Sequence, residues 1–356
     1  MKYIPLVQVC DFQGGSQPPK DQWIDHEKDG YIRMLQIRDF TQPDKDNAEY
    51  VRVSKTIKTC NEDDILIGRY GASVGKILTG LAGAYNVAII KTIPDTSKLS
   101  KRFLYHYLNS PYFQNFILSV GSRAAQAGFN KDDLSDAQIP DLSLEGQSNV
   151  VSQLDKVSEL ITLRKEQLAK LDQLVKSRFI ELFGDPVKND MGWASKPLND
   201  VCDGIGDGLH GTPVYDDNGD YPFINGNNLN DGKIVITPAT KMVAAETYEK
   251  HFINISLNAV LISINGTLGK LAFYNGEKVM LGKSACYCNL QQNINKVFVY
   301  GVMKSDAFAE FLENSSTKST IKNVGLKAMR EFKLILPPNE LQEQFATFAE
   351  QTDKSK

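Results

Sequence analysis

Hydrophobic positions along the chain change period at a few places, and those changes mark its elements. Between Gln147 and Phe183 there is no Pro, and Leu154, Ile161, Leu168, Val175 and Leu182 recur every seven residues with Val150, Val157 and Leu171 beside them. Heptad spacing sustained this long predicts one helix with a coiled-coil seam, about 54 Å long at 1.5 Å per residue. Gly184-Asp185-Pro186 ends it, as glycine past a helix end followed shortly by proline should. Elsewhere the period shortens. "YIRMLQIRDF" (Tyr31 to Phe40) alternates as a strand does, and "KRFLYHYLNSPYFQNFILSVG" (Lys101 to Gly121) reads as helix.

The same succession then returns. "YPFINGNNLNDGKI" (Tyr221 to Ile234) opens a second half, "FVYGVMKSDAFAEFLENSS" (Phe298 to Ser316) is its helix, and "LPPNELQEQ" answers the earlier "IPDLSLEGQ". Pro140 and Pro337 stand 197 residues apart, as do Gln147 and Gln344, and this spacing sets the expected alignment of two copies. After the second copy "NELQEQFATFAEQTDKSK" begins another helix, with Leu341, Phe345, Phe348 and Thr352 in register. It has about four to five turns before Lys356, so it is expected to cover only the first portion of the long seam.

Each half also contains a glycine-bracketed hairpin, "RYGASVGK" (Arg69 to Lys76) and "INGTLGK" (Ile264 to Lys270). A phosphate-binding loop needs Gly, four residues, then Gly-Lys-Ser/Thr. Tyr70 and Ile264 stand where the first glycine belongs, and Ile77 and Leu271 replace the hydroxyl residue. The flanks read as strand, turn, strand. "GIGDGLHG" (Gly204 to Gly211) lacks dinucleotide-binding spacing and reads as a loop, "LPPNE" has the wrong order for a base-methylating motif, and "PDTSK" lacks the paired acid of a nuclease. No base, nucleophile and metal site occur together.

Composition changes this picture little. With 356 residues, 42% hydrophobic and 23% charged, the chain has room for about two domains. No apolar run approaches a membrane span and no secretory leader opens the chain, so a cytoplasmic location is expected. The five cysteines and four histidines show no metal-ligand spacing, and the thiols read as reduced and structural. The net charge of -3 is unlike that of most nucleic-acid binders. Charge is mixed within each half, so basic faces backed by acidic ones remain open, with part of any attraction to DNA supplied by a partner.

The paired hairpins, the paired "IPDLSLEGQ" and "LPPNELQEQ" segments and the linker ending "LAKLDQLVKSRFIELFGDP" resemble the specificity (S) subunit of type I restriction-modification systems. The resemblance covers almost the whole chain. It implies an α+β protein of two tandem target-recognition domains, mixed β-sheet with helices, each followed by a long coiled-coil helix, the second truncated. The corresponding division is 1–146 and 186–339 for recognition, 147–185 for the central spacer helix and 340–356 for the start of a distal one. It further implies a non-catalytic DNA-recognition subunit without cofactor or metal, in which each domain reads one part of a bipartite target. Its partners would be double-stranded DNA, two modification (methyltransferase) subunits and a restriction (translocase) subunit, with no membrane. A seam left uncovered would favour self-association. The other reading is a nucleotide-binding or methyltransferase enzyme with an unrecognised motif; nucleotide or S-adenosylmethionine binding by the purified chain separates the two.

Base edges are read chiefly by Arg on guanine and by Asn or Gln on adenine. In the first half Arg33, Gln36 and Arg38 alternate with apolar residues along the expected strand, Arg69 and Tyr70 flank the hairpin turn, and Arg123 and Gln126 lie in a small-residue loop. The second half offers Asn225, Asn227, Asn228 and Lys233, then Lys318 and Lys322. Lys76 and Lys270 are candidates for phosphate contact. Asn-Gly and Asp-Gly are also turn chemistry, so it is recurrence at matching places that lifts the set above its members.

Overall fold

The computed structural model describes residues 2–42, 48–121, 128–186 and 188–356, in two compact units, Met1–Leu163 and Arg164–Lys356.

In the first unit a four-stranded antiparallel sheet runs in the order Cys10–Gly14, Ile89–Pro94, Leu66–Gly68, Ile77–Leu78. The helices Lys101–Asn109 and Pro111–Gly121 close its core, where Phe12, Ile67, Ile90, Leu104, Leu108, Phe113 and Ile117 are buried together. A second sheet is ordered Trp23–Ile24, Tyr50–Arg52, Tyr31–Leu35, Gly83–Tyr85, Thr59–Cys60, and is parallel only between Tyr31–Leu35 and Gly83–Tyr85. The second unit repeats this plan. Its four strands are Cys202–Asp207, Ala285–Leu290, Ala259–Ser263 and Leu271–Phe273, and its helices are Lys296–Met303 and Asp306–Ser315. Tyr221–Ile224 again pairs in parallel, here with Met280–Leu281. Every residue of Ala259–Ser263 is buried, which explains its unbroken apolar run.

Two expectations fail here. Gly204 to Asp207 belong to a strand paired with Ala285–Leu290 and not to a loop. With few side chains to bury, an edge strand rich in glycine carries no alternating signal. The expected single helix of each half is a pair. Ser110 and Ser305 interrupt them, each with its Oγ accepting the N–H three residues on, from Phe113 and Phe308 at 3.4 Å.

The hydrogen bonds also correct the alignment of the copies. Gln147 is buried; it accepts from Ser100 N–H at 2.9 Å and donates to Leu142 O at 2.9 Å and Lys98 O at 2.6 Å. Its counterpart is Gln342, which accepts from Asn295 N–H at 3.1 Å and donates to Pro337 O at 2.9 Å. Leu142 therefore matches Pro337 and Gln147 matches Gln342, a shift of 195 residues in place of 197. Matching prolines misled because proline identity there is incidental, whereas the amide bridges the start of the helix to the loop before it. Replacing Gln342 by alanine leaves a buried N–H and C=O unpaired. Chemical denaturation should show a loss of about 2–3 kcal/mol; an unchanged midpoint would refute this role.

The central helix spans Leu144–Phe183, three residues longer at its start than expected. Its N-terminal turns pack on the first core through Val150 and Val151, and Val175 and Leu182 pack on the second. Leu168 is half-buried, whereas Leu154 and Ile161 are 40% and 51% exposed. The distal helix, Asn339–Lys354, does not lie on the first portion of the seam as expected. Phe345 meets Phe179 and Phe183 at 5.3 and 5.7 Å, Lys356 Nζ reaches Asp172 at 2.7 Å, and the Lys356 carbonyl accepts from Arg164. It thus runs antiparallel along residues 164–183. Phe345 selects that end because the aromatic cluster of Phe179, Phe183 and Phe298 is where its ring can be buried.

Candidate nucleic-acid interface

Both glycine hairpins close in the same way. Gly68 N–H donates to Lys76 O at 2.8 Å and Gly75 N–H to Gly68 O at 3.0 Å; Ser263 and Gly269 make the matching bonds at 2.8 and 2.9 Å. Gly75 and Gly269 both have φ +78, which only glycine takes without strain, and a Cβ there would meet Ile117 and Leu312 on the helix behind. A strand follows each turn, Ile77–Leu78 and Leu271–Phe273, so there is no helix N-terminus to hold a phosphate.

A second element approaches each hairpin tip. The backbone at Gly128 bridges Tyr70, and that at Asn323 bridges Asn265. The third is a tight turn after the strand that pairs in parallel. Asp39 Oδ2 accepts from Gln36 N–H at 2.7 Å at the start of Ile37–Thr41, and Asn228 Oδ1 from Asn225 N–H at 3.0 Å at the start of Gly226–Asn228, while the N–H of Asp39 and Asn228 donates back to the Gln36 and Asn225 carbonyls at 3.0 and 2.9 Å. Gln36 and Arg38 are therefore not on a strand with Arg33, which alone of the three lies in Tyr31–Leu35. The cap halts the alternation after Leu35, and periodicity could not distinguish one helical turn from two more strand residues.

In the second unit these three elements enclose an open cavity of about 650 Å³. Asn225, Asn227 and Lys322, all anticipated, line it together with Asn265, Thr267, Ser284 and Thr320, which were not. Asn225 Oδ1 accepts from Ser284 Oγ at 3.0 Å, and Asn228 Nδ2 donates to Val235 O at 3.0 Å, so these two hold the turn. Lys322 pairs with Glu313, and Asn265 Nδ2 donates to Asn323 Oδ1 at 3.2 Å. Asn227 is exposed, and no bond of its side chain to another described residue is present. Asn265-Gly266 is turn chemistry, which hid Asn265 as a residue of the cavity lining. Lys233 and Lys318 are exposed outside the cavity lining.

The first unit carries more charge at the corresponding place. Arg33 Nη2 donates to Asp39 Oδ1 at 2.9 Å, Gln36 Nε2 to Glu49 Oε2 at 2.6 Å and Arg38 Nη2 to the same oxygen at 2.5 Å; Lys20 also pairs with Glu49. Partial burial works against ionisation of Glu49, yet the hydrogen bonds from Lys20 and Gln36 hold its carboxyl below the ordinary value. Arg69 serves the fold, with Nε donating to Phe129 O at 3.1 Å and the guanidinium 5.0 Å from the Tyr70 ring centroid. Tyr70 and Lys76 are exposed and Lys270 is half-buried. Arg123 and Gln126 lie outside the described residues. Among the described residues no His, Cys, Asp and Glu group is placed to hold a metal ion.

The two copies share the hairpin, the cap turn and the crossing backbone but carry different polar side chains on them. A family model, the type I restriction modification DNA specificity domain, matches residues 1–173 and 191–356. The chain belongs to this family. It is a DNA-recognition specificity subunit and not a catalytic one. The fold agrees with two solved structures. One is the type I restriction-modification S subunit from M. genitalium, with TM-score 0.55, 14% identity, and 99% of this chain and 89% of that one covered. The other was reported for complex assembly and conformational transition of the type I R-M system, with TM-score 0.54, 17% identity, and 99% and 90% covered. No helix among the described residues of this specificity subunit is long and apolar enough to cross a membrane.

Proposed function

We propose that this specificity subunit reads a two-part target in double-stranded DNA, residues 1–146 reading one part and 186–339 the other. Residues 147–185 and 340–356 act as the spacer that sets the gap. The observation that carries this reading is the recurrence of hairpin, cap turn and crossing backbone in both units with different polar side chains on them. Similar frames bearing different donors and acceptors suit two different base sequences. The solved structure reported for complex assembly of the type I R-M system supports work within a multisubunit complex; the partners proposed for this chain are two modification subunits, one for each repeat, and a restriction subunit, and its place the cytoplasm. A partner helix would cover Leu154, Val157 and Ile161 on the central helix; sedimentation of the isolated chain shows whether a second copy covers them instead.

Mapping methylated bases in cells that carry this chain and its modification partner tests the reading. Two short specified parts separated by unspecified bases are expected; a single uninterrupted motif would overturn it. At the level of one residue, Asn227→Ala should relax one position in the second part by about 1–3 kcal/mol of discrimination and leave the first part unchanged. Because the net charge is -3, the isolated chain should bind DNA weakly, and adding modification subunits at fixed salt should raise both affinity and specificity. Tight, sequence-specific binding by the chain alone would contradict that.

A further inference from the structure

Glu49 gathers three donors that could otherwise face DNA, namely Lys20, Gln36 and Arg38, and Arg33 is held next to them by the buried Asp39 carboxylate. An acid among cations proposed to face DNA repels phosphate, so its presence needs a reason. The ion pairs restrict the rotamers of a long guanidinium side chain before DNA arrives, and a fork already aimed loses less freedom on binding. They also lower the attraction of the same cations for phosphate, which is the part of binding that carries no sequence information. The second unit lacks this device. Met34 N–H donates to Glu49 O at 2.7 Å, and the equivalent Phe223 N–H donates to Lys241 O at 2.8 Å, so a lysine occupies the place of the acid.

We infer that Glu49 is a positioning residue for the first half of the target: it aims Arg38 at a G·C pair and suppresses binding of Arg38 and Lys20 to phosphate on unrelated DNA. The inference rests on the DNA-reading function proposed above and predicts an effect in one half only, with the second half as internal control. Guanine is the expected base because a guanidinium fork matches its O6 and N7.

The test uses the full chain bound to its modification subunits, with two 30-base-pair duplexes: one carrying the motif mapped for the wild type, the other a scrambled sequence. Glu49→Gln should bind the scrambled duplex several-fold more tightly and steepen the salt dependence of log affinity by roughly one unit for each cation released to phosphate. Discrimination against a substituted G·C pair in the first half should fall roughly tenfold, and discrimination in the second half should not move. Unchanged salt dependence and unchanged preference in both halves would overturn the inference. If Glu49→Gln lowers the thermal midpoint, Arg38→Lys, which keeps the charge pair but removes the fork, takes its place. Relaxation of the same half then supports the assignment, and an unchanged first half overturns it. A wild-type complex indifferent to the two duplexes would instead overturn the DNA-reading proposal itself.

Discussion

Phe345→Ala is expected to destabilise the second unit by about 3–5 kcal/mol, the range for truncating a fully buried aromatic residue. Phe345 is 2% exposed and sits between two rings of the central helix, crossing Phe179 at 83° and Phe183 at 76°. Gly301 lets these rings approach, since a Cβ there would lie 2.8 Å from Phe179 and 3.2 Å from Phe345. The distal helix is only 16 residues long, too short to persist without such packing. Its buried anchors are Gln342, Phe345, Ala346 and Thr352, so loss of the ring should release the helix as a unit. Urea denaturation should show the lower midpoint, and hydrogen exchange should show amides of 339–354 losing protection before the sheet does. In the first unit Val150 occupies the place of Phe345. Its truncation removes far less buried surface and should cost about 1–2 kcal/mol. A Phe345→Ala chain with a protected distal helix and an unchanged midpoint would show that the aromatic cluster does not hold the helix.

The elements legible in the sequence were those whose signal is local and repeated. The heptads from Leu154 to Leu182 specified a helix because each turn restates the pattern, and the failed phosphate-loop spacing correctly left a strand after each hairpin. What escaped was decided by single bonds or distant residues. One hydroxyl, Ser110 Oγ, divides an apolar helical stretch in two. The register of the copies depends on the amide of Gln342, and a neighbouring glutamine at position 344 offered the same letter. Arg33 and Arg38 were readable as candidate contacts, but Glu49, which holds Arg38, is eleven residues further along with no periodicity linking them. Asn265 and Thr320 meet across one cavity only because the hairpin and the crossing segment fold together. Side chains that converge through tertiary structure leave no spacing to read.

Exchanging residues 1–140 for the corresponding domain of another specificity subunit should replace the first part of the methylated target completely and leave the second part and the gap unaltered. The junction is physically suitable. Tyr3–Pro5 pairs with Gln138–Pro140, so the segment begins and ends on adjacent strands; its four-stranded sheet and helices share one core, and its second sheet packs in two smaller clusters, all within the first unit. The bonds that must survive are those of Gln147 to Leu142 O, which the exchange leaves in place, and to Lys98 O and Ser100 N–H, so a donor domain that presents equivalents of the last two groups can dock on the same helix. The second reading surface is untouched, because Asn227, Asn265 and Thr320 all lie in the second unit. Specific affinity exceeds non-specific by about 10³–10⁷, so a changed half-site should appear as full loss of methylation at old sites and full gain at new ones. A gap that changed together with the first part would show that the exchanged domain, and not the helices, sets the spacing. Changes in both parts would show that the two units do not read independently.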